Sequence, residues 1–357
     1  MPDYAFSPAS PPDSICLLRT SALGDVTHVV PLVRTLQGAL PSTRLTWIVG
    51  KLESRLVGDL DGIEFIVFDK AKGISGFTDV RRQLAGRRFT ALLHLQVALR
   101  ANLLSALVHA PLRVGYDAAR SKDLHGLFVN TRIAARHGEH VLDAMASFAE
   151  PLGVKRSEVV WNLPIPEAAH EFAQAHLPGT SPTLLVSPCS SHAVRNWLPE
   201  RYAAVIDHAG GRGWRVVLCG GRSAYERGFA DSILARCTRA PIDLVGKDTL
   251  KQFLALARRA DLVLTPDSGP LHMANAVGSK VLGLHAASNP NRSGPYSDRR
   301  WCVDRYDAAA RKFRGRPSSE LPWGTKIECS GVMELIEVDA VLERFDAFAS
   351  FSGRQKN

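Results

Sequence analysis

Residues 15–30 read ICLLRTSALGDVTHVV, and this stretch decides the fold. A short, almost wholly apolar run at 15–19 ends in a turn of small residues and passes into a helical pattern over 25–40. Apolar runs of this length are typical of strands that are buried on both faces of a parallel sheet. The stretch therefore predicts the first strand and the first helix of a βαβ unit.

The same alternation of apolar runs and helical patterns continues along the chain and starts afresh after residue 182. In the first half, further strands are predicted at 45–49, 63–68, 90–95 and 113–116, and further helices at 100–109 and 139–152. In the second half, strands are predicted at 183–188, 214–220, 241–246, 261–267 and 280–286, and helices at 199–209, 224–237, 250–260 and 270–277. The fold class is therefore α/β, with two Rossmann-like, doubly wound domains. Because such sheets bind ligands at the carboxyl ends of their strands, we expect a crevice between the two domains.

Composition places the domain boundaries. Residues 1–14 are rich in Pro, Ser and Ala and are predicted to be a disordered leader. The N-terminal domain is predicted at 15–160 and the C-terminal domain at 183–330, joined by a linker at 161–182 that contains several prolines. A helical pattern over 338–351 predicts a C-terminal helix within the last segment, 331–357.

Composition also excludes several classes of protein. The net charge is +9, but there is no basic tail and no nucleic-acid-binding motif, so a nucleic-acid partner is not expected. The six cysteines are scattered without a CxxC pair, which argues against a metal site and a disulfide framework. Neither half contains a GxGxxG motif, so a dinucleotide cofactor is not indicated. No apolar run approaches the roughly 20 residues that span a bilayer, and no secretory signal is present, so we expect a cytoplasmic protein.

The first chemical motif is RTSALGDV, at 19–26. Its small residues form a strand-to-helix turn in which Gly24 is free to adopt a positive φ and backbone N–H groups can face an anion. The motif places Asp25 at the start of the helix, where a carboxylate can act as a base. The alternative is that Asp25 is a helix N-cap, which stabilises by roughly 1 kcal/mol.

The second motif is TPDSGPLHMANA, at 265–276. Asp267 or Ser268 can cap the helix, Gly269 lets a ligand approach the backbone, and the N–H groups of this terminus can hold a diphosphate. His272 lies one turn into the same helix. The alternative is a well-capped helix with an incidental histidine.

Two further segments follow predicted strands of the second half. In SPCSSHAVRNWLPE, at 187–200, the serine hydroxyls and Arg195 suit phosphate oxygens, because a guanidinium binds them through two N–H groups. In CGGRSAYE, at 219–226, Glu226 can bind ribose hydroxyls. The alternative for Glu226 is a solvated charge on the helix.

In order and spacing these pieces resemble the lipopolysaccharide heptosyltransferases, which are inverting enzymes of the GT-B architecture. The resemblance covers nearly all of the chain after residue 14. It is carried by TSxxGDV at 20–26, the basic-x-Trp segment at 195–197, GKDTL at 246–250, DSGPxH at 267–272 and NPNRSGPY at 289–296.

By position, the resemblance implies that Asp25 is the catalytic base and that Arg195 is a catalytic cation. It implies donor binding by Ser190, Ser191, Glu226, Asp248, Asp267, Ser268, Gly269 and His272, and acceptor binding by Thr20, Ser21, Gly24, Gln96 and Arg120. The chain departs from the family at three places. Arg195 replaces the usual Lys, HLQV at 94–97 replaces DxQG, and AAS at 286–288 replaces GPT.

The resemblance implies that heptose is moved from ADP-heptose to a Kdo or heptose hydroxyl of the lipopolysaccharide inner core, without a metal or cofactor. The expected partners are the ADP-sugar donor, an anionic lipid A–core acceptor and the inner membrane surface, which the protein would contact peripherally. Three alternatives stay open: a sugar-nucleotide epimerase of similar architecture, a non-catalytic sugar-nucleotide-binding protein, and a heptosyltransferase that acts on protein.

Overall fold

The computed structural model describes residues 6, 7 and 9–355. The chain divides into two compact units, and the boundary lies between Pro164 and Ile165, inside the stretch predicted as a linker. Part of the predicted leader, residues 1–5 and 8, lies outside the described residues. Its end is ordered, which corrects that prediction for residues 12–14: Ser14 begins the first strand, and the Thr43 hydroxyl donates to the Pro12 carbonyl at 2.7 Å.

The first unit contains a parallel sheet of six strands in the order β3-β2-β1-β4-β5-β6. The strands are β1 (Ser14–Leu18), β2 (Arg44–Gly50), β3 (Ile63–Phe68), β4 (Ala91–His94), β5 (Leu112–Gly115) and β6 (Thr131–Arg132). The first five were predicted. The sixth was not, because two residues at the edge of a sheet carry no hydrophobic period.

Five helices accompany this sheet. They are α1 (Leu23–Ala39), α2 (Ser54–Val57), α3 (Ile74–Leu84), α4 (Leu99–Ser105) and α5 (Val141–Ala146). A core on one face joins strand residues such as Leu18 and Phe68 to Val80 of α3 and Leu104 of α4. The predicted helix over 139–152 is α5 followed by a 3₁₀ segment, Ser147–Leu152, that contains Pro151.

The second unit repeats the architecture, with six parallel strands in the order β12-β11-β10-β7-β8-β9. The strands are β7 (Thr183–Val186), β8 (Arg215–Leu218), β9 (Ile242–Asp243), β10 (Leu262–Pro266), β11 (Lys280–His285) and β12 (Val303–Asp304). β9 is shorter than predicted, because the chain turns at Gly246, whose φ is +77°. β12 is a two-residue edge strand that the sequence did not predict.

The helices of the second unit include one in the predicted linker. They are α6 (Glu167–His176), α7 (Pro199–Gly211), α8 (Ala224–Leu234), α9 (Leu250–Arg259), α10 (Gly269–Ala276), α11 (Pro290–Ser293), α12 (Tyr306–Arg314) and α13 (Val338–Gln355). The linker prediction is therefore wrong for α6, which packs on α9 through its buried Ala169 and Ala173. Alanines between prolines resemble a linker in sequence, and only packing shows that they are a buried face.

Both sheets have the order in which the first and fourth strands of a unit are neighbours and the chain winds away in opposite directions. Ligands of doubly wound proteins bind outside the carboxyl ends of these two strands. Within residues 6, 7 and 9–355, no helix is long and apolar enough to cross a membrane.

Candidate active site

In the first unit, the carboxyl ends of β1 and β4 are joined by the side chain of Gln96. The backbone N–H and the hydroxyl of Thr20 donate to Gln96 Oε1 at 2.8 and 3.0 Å. Gln96 Nε2 donates to the Ser21 hydroxyl at 3.2 Å. Three residues predicted to bind the acceptor are thus brought together, and their polar atoms line one wall of the sheet edge.

Asp25 lies at the third position of α1, beside these residues in sequence. Its Oδ2 accepts the backbone N–H of Ala22, the N-cap residue, at 3.3 Å and forms an ion pair with Arg19. Asp25 is therefore not the N-cap itself, although its carboxylate satisfies an N–H of the helix start. Its side chain is 34% exposed, so a substrate hydroxyl can reach it.

Gly24 corrects the sequence prediction. It does not have a positive φ, because α1 begins at Leu23 and Gly24 is a buried helical residue. The helix begins earlier than predicted because the Asp25 carboxylate satisfies the N–H of Ala22. Gly24 is therefore a buried residue of the first helical turn and does not form a flexible anion-binding turn.

A cavity of about 520 Å³ opens at the same edge of the first sheet. Its lining includes Thr20, Ser21 and Gln96 together with four cationic side chains that the sequence analysis did not single out: Lys51, Arg55, Lys70 and Arg100. Lys51 forms an ion pair with Asp69 at 2.7 Å. Glu53 is buried in the wall, and burial raises the pKa of its carboxyl group. Each of the four cations follows a predicted strand, which is the signal that could have found them.

Arg120 is held inside the first unit. Its guanidinium forms ion pairs with Asp117 and with Glu139, the latter at 2.9 Å, and donates to the Ala134 carbonyl at 3.2 Å. The side chains of both carboxylate partners are only 7% exposed. These contacts give Arg120 a structural role in joining three segments, and they occupy much of its guanidinium.

In the second unit, α10 begins with Ser268 as its N-cap residue. The Ser268 hydroxyl makes no hydrogen bond to an N–H of the helix, and instead bonds with the Thr265 hydroxyl at 3.0 Å. Gly269 and Pro270 follow in the first turn. The N-cap side chain therefore does not cap the first-turn amides of this helix, contrary to the alternative of a well-capped helix. Uncapped first-turn amides can bind an anion.

Asp267 precedes this helix and is buried. The Ser293 hydroxyl donates to its Oδ2 at 3.2 Å, and His272 Nε2 lies 3.7 Å from its Oδ1. Burial would raise the pKa of Asp267, but the nearby imidazoles of His272 and His285 hold that pKa well below its usual range. The structure thus brings together Asp267 and His272 as predicted, with Asp267 ionised at neutral pH.

Arg195 lies at the end of a short 3₁₀ turn and is only 9% exposed. Its Nε donates to Glu328 Oε1 at 2.6 Å, and its Nη2 binds the same oxygen. Its Nη1 makes no hydrogen bond within the part of the chain that the structure describes. Lys326 lies nearby, and both desolvation and the charge of Arg195 lower the pKa of its ammonium group. Glu328 and Lys326 were not found from the sequence, because no motif surrounds them.

The two predicted phosphate-binding serines differ. The backbone N–H of Ser190 donates to Asn196 Oδ1 at 2.7 Å, and its hydroxyl donates to the His192 carbonyl at 2.8 Å. Ser191 is exposed at the tip of the turn. The fold thus shapes this loop through Ser190, and the exposed group is the hydroxyl of Ser191.

Glu226 and Asp248 lie close together beyond β8 and β9. Glu226 accepts the Gly221 N–H at 3.1 Å and the Ser223 hydroxyl at 2.8 Å, so it closes the loop before α8 rather than being a solvated charge. Burial, aided by the negative charge of Glu226, raises the pKa of Asp248 to about 7. At neutral pH the Asp248 carboxyl can therefore donate a hydrogen bond as well as accept one.

Comparison with known proteins identifies the family. Residues 77–323 match the model of glycosyltransferase family 9 (heptosyltransferase). The chain is also 40% identical to the lipopolysaccharide core heptosyltransferase OpsX of Haemophilus influenzae, over 95% of this chain and 98% of that protein. The chain belongs to glycosyltransferase family 9. It is a heptosyltransferase of lipopolysaccharide core biosynthesis.

Solved structures share the fold of this heptosyltransferase. A glycosyl transferase family 9 protein from Veillonella parvula aligns with a TM-score of 0.76 and 24% identity, over 94% of this chain and 97% of that one. The Escherichia coli ADP-heptose lps heptosyltransferase II aligns with a TM-score of 0.71 and 18% identity, over 95% and 99%. These likenesses confirm the α/β fold class and the GT-B architecture.

The family match covers the site residues of the heptosyltransferase unequally. Gln96, Arg120 and the predicted donor-binding residues lie within the matched range of 77–323, whereas Asp25, Thr20 and Ser21 precede it and Lys326 and Glu328 follow it. The likeness to the Haemophilus influenzae protein extends over 95% of the chain, however. Family membership is therefore shown for the whole heptosyltransferase.

Proposed function

We propose that this heptosyltransferase moves heptose from ADP-heptose to a Kdo or heptose hydroxyl of the lipopolysaccharide inner core, with inversion at the anomeric carbon. The part of this proposal that concerns the donor rests on the positive charge near the uncapped start of α10. Lys326 interacts electrostatically with both Arg195 and Asp267, so it lies between the buried guanidinium and the residue that precedes this helix. Cations at a helix N-terminus suit a diphosphate. ADP-heptose is proposed as the donor because the Escherichia coli ADP-heptose lps heptosyltransferase II shares this fold.

In this proposal the second unit binds the donor. The diphosphate lies against the amides of Ser268 and Gly269 and against the hydroxyls of Ser190 and Ser191, while Arg195 offers its Nη1 edge. His272 supports this site through Asp267. Glu226 and Asp248 bind the ribose and the adenine edge, where a partly protonated carboxyl can serve as both donor and acceptor of hydrogen bonds.

The reaction is a single displacement. The acceptor oxygen forms a bond to the anomeric carbon as the bond from that carbon to the donor phosphate oxygen breaks. Asp25 removes the proton of the acceptor hydroxyl, which a positioned carboxylate can accelerate by roughly 10²–10⁴-fold. The charge that develops on the departing ADP is stabilised by Arg195 and by the amides at the start of α10.

The acceptor binds in the cavity of the first unit. Thr20, Ser21 and Gln96 offer neutral hydrogen-bonding groups there, and Lys51, Arg55, Lys70 and Arg100 offer positive charge for the carboxylates and phosphates of a lipid A–core precursor. We propose this set of cations in place of Arg120, whose guanidinium is already bound by two carboxylates.

The test is acceptor-dependent turnover by the purified full chain. With ADP-heptose and a Kdo-containing acceptor, we expect stoichiometric release of ADP and a product whose anomeric configuration is opposite to that of the donor, measured by NMR. EDTA should leave the rate intact. ADP release without an acceptor would instead indicate an epimerase-like reaction, and heptose transfer to protein serines would replace the proposed acceptor.

A further inference from the structure

The segment from His94 to Asn102 forms one wall of the cavity in the first unit, and we call it the wall loop. It begins at the last residue of β4 and ends at the fourth residue of α4. Three of its residues line the cavity: Gln96, Ala98 and Arg100. A hydrogen bond joins the two ends of the segment, since His94 Nε2 lies 2.8 Å from Asn102 Oδ1. The residues that line the cavity are therefore held between two anchored positions.

The side-chain amide of Asn102 can be oriented in only one way. Its Nδ2 donates to the Asp123 carbonyl at 2.7 Å, and a carbonyl oxygen can only accept. Oδ1 therefore faces the imidazoles of His94 and His125, at 2.8 and 3.0 Å, and each ring must donate an N–H to it. The other nitrogen of His125 accepts the Tyr116 N–H at 3.2 Å, so this ring carries its proton on Nδ1. We call Asn102 and these two histidines the clasp.

The clasp is buried and uncharged. Asn102 and His94 are fully buried, and His125 is 1% exposed. Burial lowers the pKa of His94 to about 3 and the pKa of His125 to about 4, so both rings are neutral at physiological pH. Buried donors and acceptors that lose their partners are costly, because water cannot replace the lost hydrogen bond. Each member of the clasp therefore holds the other two in place.

The loop after β5 reaches the same helix in a conformation that is rarely adopted. Asp123 and Leu124 have φ values of +50° and +62°, which are unusual for residues with side chains. In this shape Asp123 contacts α4 twice, because its carbonyl accepts from Asn102 and its Oδ2 accepts the Leu99 N–H at 3.1 Å. The N-cap residue of α4 is Ala98, whose methyl group cannot accept that N–H, so Asp123 caps the helix from another segment. The loop thus fixes the start of α4, where the cavity residues lie.

His94 is one of the places where the chain departs from the family pattern. The usual residue there is the Asp of DxQG, and this chain has HLQV at 94–97. A carboxylate at residue 94 would have no N–H to give to Asn102 Oδ1 and would place two acceptors against each other. The hydrogen bond that closes the wall loop therefore depends on the histidine that this chain carries.

We propose that the clasp is a positioning unit for the acceptor, which holds Gln96 and Arg100 where the substrate meets them. The inference rests on the proposed function, in which the acceptor binds in this cavity. Gln96 must bridge Thr20 and Ser21 while the charge of Arg100 faces the cavity. A wall loop with both ends fixed meets these two needs together. Loss of the clasp should therefore weaken acceptor binding and leave donor binding, which belongs to the second unit, unchanged.

Steady-state kinetics of variants of the full chain test this proposal. His94→Leu removes the donated N–H and should raise the acceptor KM about tenfold, while the donor Kd stays the same. His94→Gln can still donate an N–H to Asn102 and should stay within about threefold of the wild type. Asn102→Asp can no longer donate to the Asp123 carbonyl and should resemble His94→Leu. In an Arg100→Gln background the effect of His94→Leu should be smaller, because the clasp acts through Arg100.

His140→Leu is the matched control for lost stability. His140 is a buried histidine of the same unit that accepts the Leu142 N–H at 3.1 Å at the start of α5, and it is not among the residues that line the cavity. Its replacement should lower the melting temperature and leave the acceptor KM unchanged. A further measurement needs no substrate: ¹H–¹⁵N NMR spectra should show His125 in the Nδ1–H form, and the Nε2–H form would overturn the proposal.

The kinetic outcomes separate this proposal from the proposed function. If Lys70→Gln raises the acceptor KM and His94→Leu does not, the acceptor binds in the cavity but the clasp does not position it. The positioning role also fails if His94→Gln is impaired as much as His94→Leu, or if His140→Leu raises the acceptor KM equally. If neither Lys70→Gln nor His94→Leu changes the acceptor KM, the acceptor binds elsewhere, and both proposals fail.

Discussion

The carboxyl edges of the two sheets share a topology and differ in chemistry. At the edge of the first sheet, a cavity of about 520 Å³ is lined by exposed cations and by the exposed apolar side chain of Leu52. At the edge of the second sheet, Arg195 and Asp267 are buried, at only 9% and 8% exposure, whereas their neighbours Lys326 and Glu328 lie at the surface. Both sheets have the same strand order. The fold therefore supplies an edge for binding, and the loops decide what it binds.

This difference has an energetic meaning. Charges that are already desolvated and held by partners lose little freedom on binding a small anion, so they suit a site for a donor diphosphate. Exposed cations around an open cavity are screened by salt and adapt to a larger anionic acceptor. We expect variants of the second edge to change donor affinity strongly, and variants of the first edge to change either the chemical step or acceptor affinity.

The largest effect is expected from replacing Asp25, the proposed catalytic base at the edge of the first sheet. Asp25→Asn can still accept the Ala22 N–H but cannot take a proton, so kcat should fall by roughly 10²–10⁴-fold. Donor affinity, measured by calorimetry, should stay the same. Asp61→Asn is the matched control, because Asp61 is likewise paired with an arginine, Arg34, at 2.8 Å. If Asp25→Asn turned over within about a factor of two of the wild type, Asp25 would not be the base.

The next largest effect is expected from replacing Arg195, at the edge of the second sheet. Arg195→Ala should weaken donor binding or catalysis by roughly 10- to 150-fold, because a charge-assisted contact to a buried anion contributes about 1.5–3 kcal/mol. Arg195→Lys should be impaired less, since its ammonium keeps the charge but is drawn to Glu328. Adding Glu328→Gln should then restore part of the activity. The measurement is kcat/KM for the donor.

A surface pair provides the control for this experiment. Arg212 forms an ion pair with Asp346 at 2.9 Å, and its side chain is 51% exposed. Arg212→Lys should leave donor kinetics unchanged. Wild-type kinetics in Arg195→Ala would show that Arg195 does not meet the donor, and a double variant no better than Arg195→Lys would show that Glu328 does not compete for the lysine.

A smaller effect concerns stability and pH at the second edge. The pKa of Asp248 is raised from 3.8 to about 7 in the folded state, so the folded protein binds the proton more tightly than the unfolded chain does. The free energy of unfolding should therefore decrease as the pH rises through this range and level off above it. Asp248→Asn cannot ionise and should remove this decrease. Urea denaturation at a series of pH values measures it, with the exposed Asp231→Asn as control. If the free energy of unfolding depends on pH in the same way in Asp248→Asn and Asp231→Asn, the pKa of Asp248 does not cause the decrease.

The smallest effect is expected from the exposed cations of the first edge. Lys70→Gln should raise the KM for an anionic acceptor roughly two- to fivefold, because an exposed charge contributes about 0.5–1 kcal/mol. Added salt should reduce the difference. Arg120→Ala, by contrast, should lower the melting temperature and leave this KM unchanged. If Arg120→Ala instead altered the acceptor KM and Lys70→Gln had no effect, the acceptor would bind at Arg120, as the resemblance predicted.

The parts of the fold that sequence predicted well are those with a strong local pattern. All ten of the predicted strands are present, because continuous apolar runs can be satisfied only in a buried parallel sheet. β6 and β12 were not predicted, because a strand of two residues is too short to show a hydrophobic period. α6 was not predicted, because its buried face consists of alanines in a segment flanked by prolines. Hydrophobic periodicity identifies elements that are long and apolar, and it does not identify short or alanine-rich ones.

For the candidate site, the sequence determined which segments follow the strands, and therefore which residues reach the carboxyl edges. The tertiary structure alone decided their partners. Thr20 meets Gln96 across 76 residues, and Arg195 meets Glu328 across 133. It also decided that Arg120 is bound within its unit and that Lys51 lines a cavity. The physical reason is range: backbone preferences and hydrophobic period act between near neighbours along the chain, whereas ion pairs and cavities depend on which strands lie side by side.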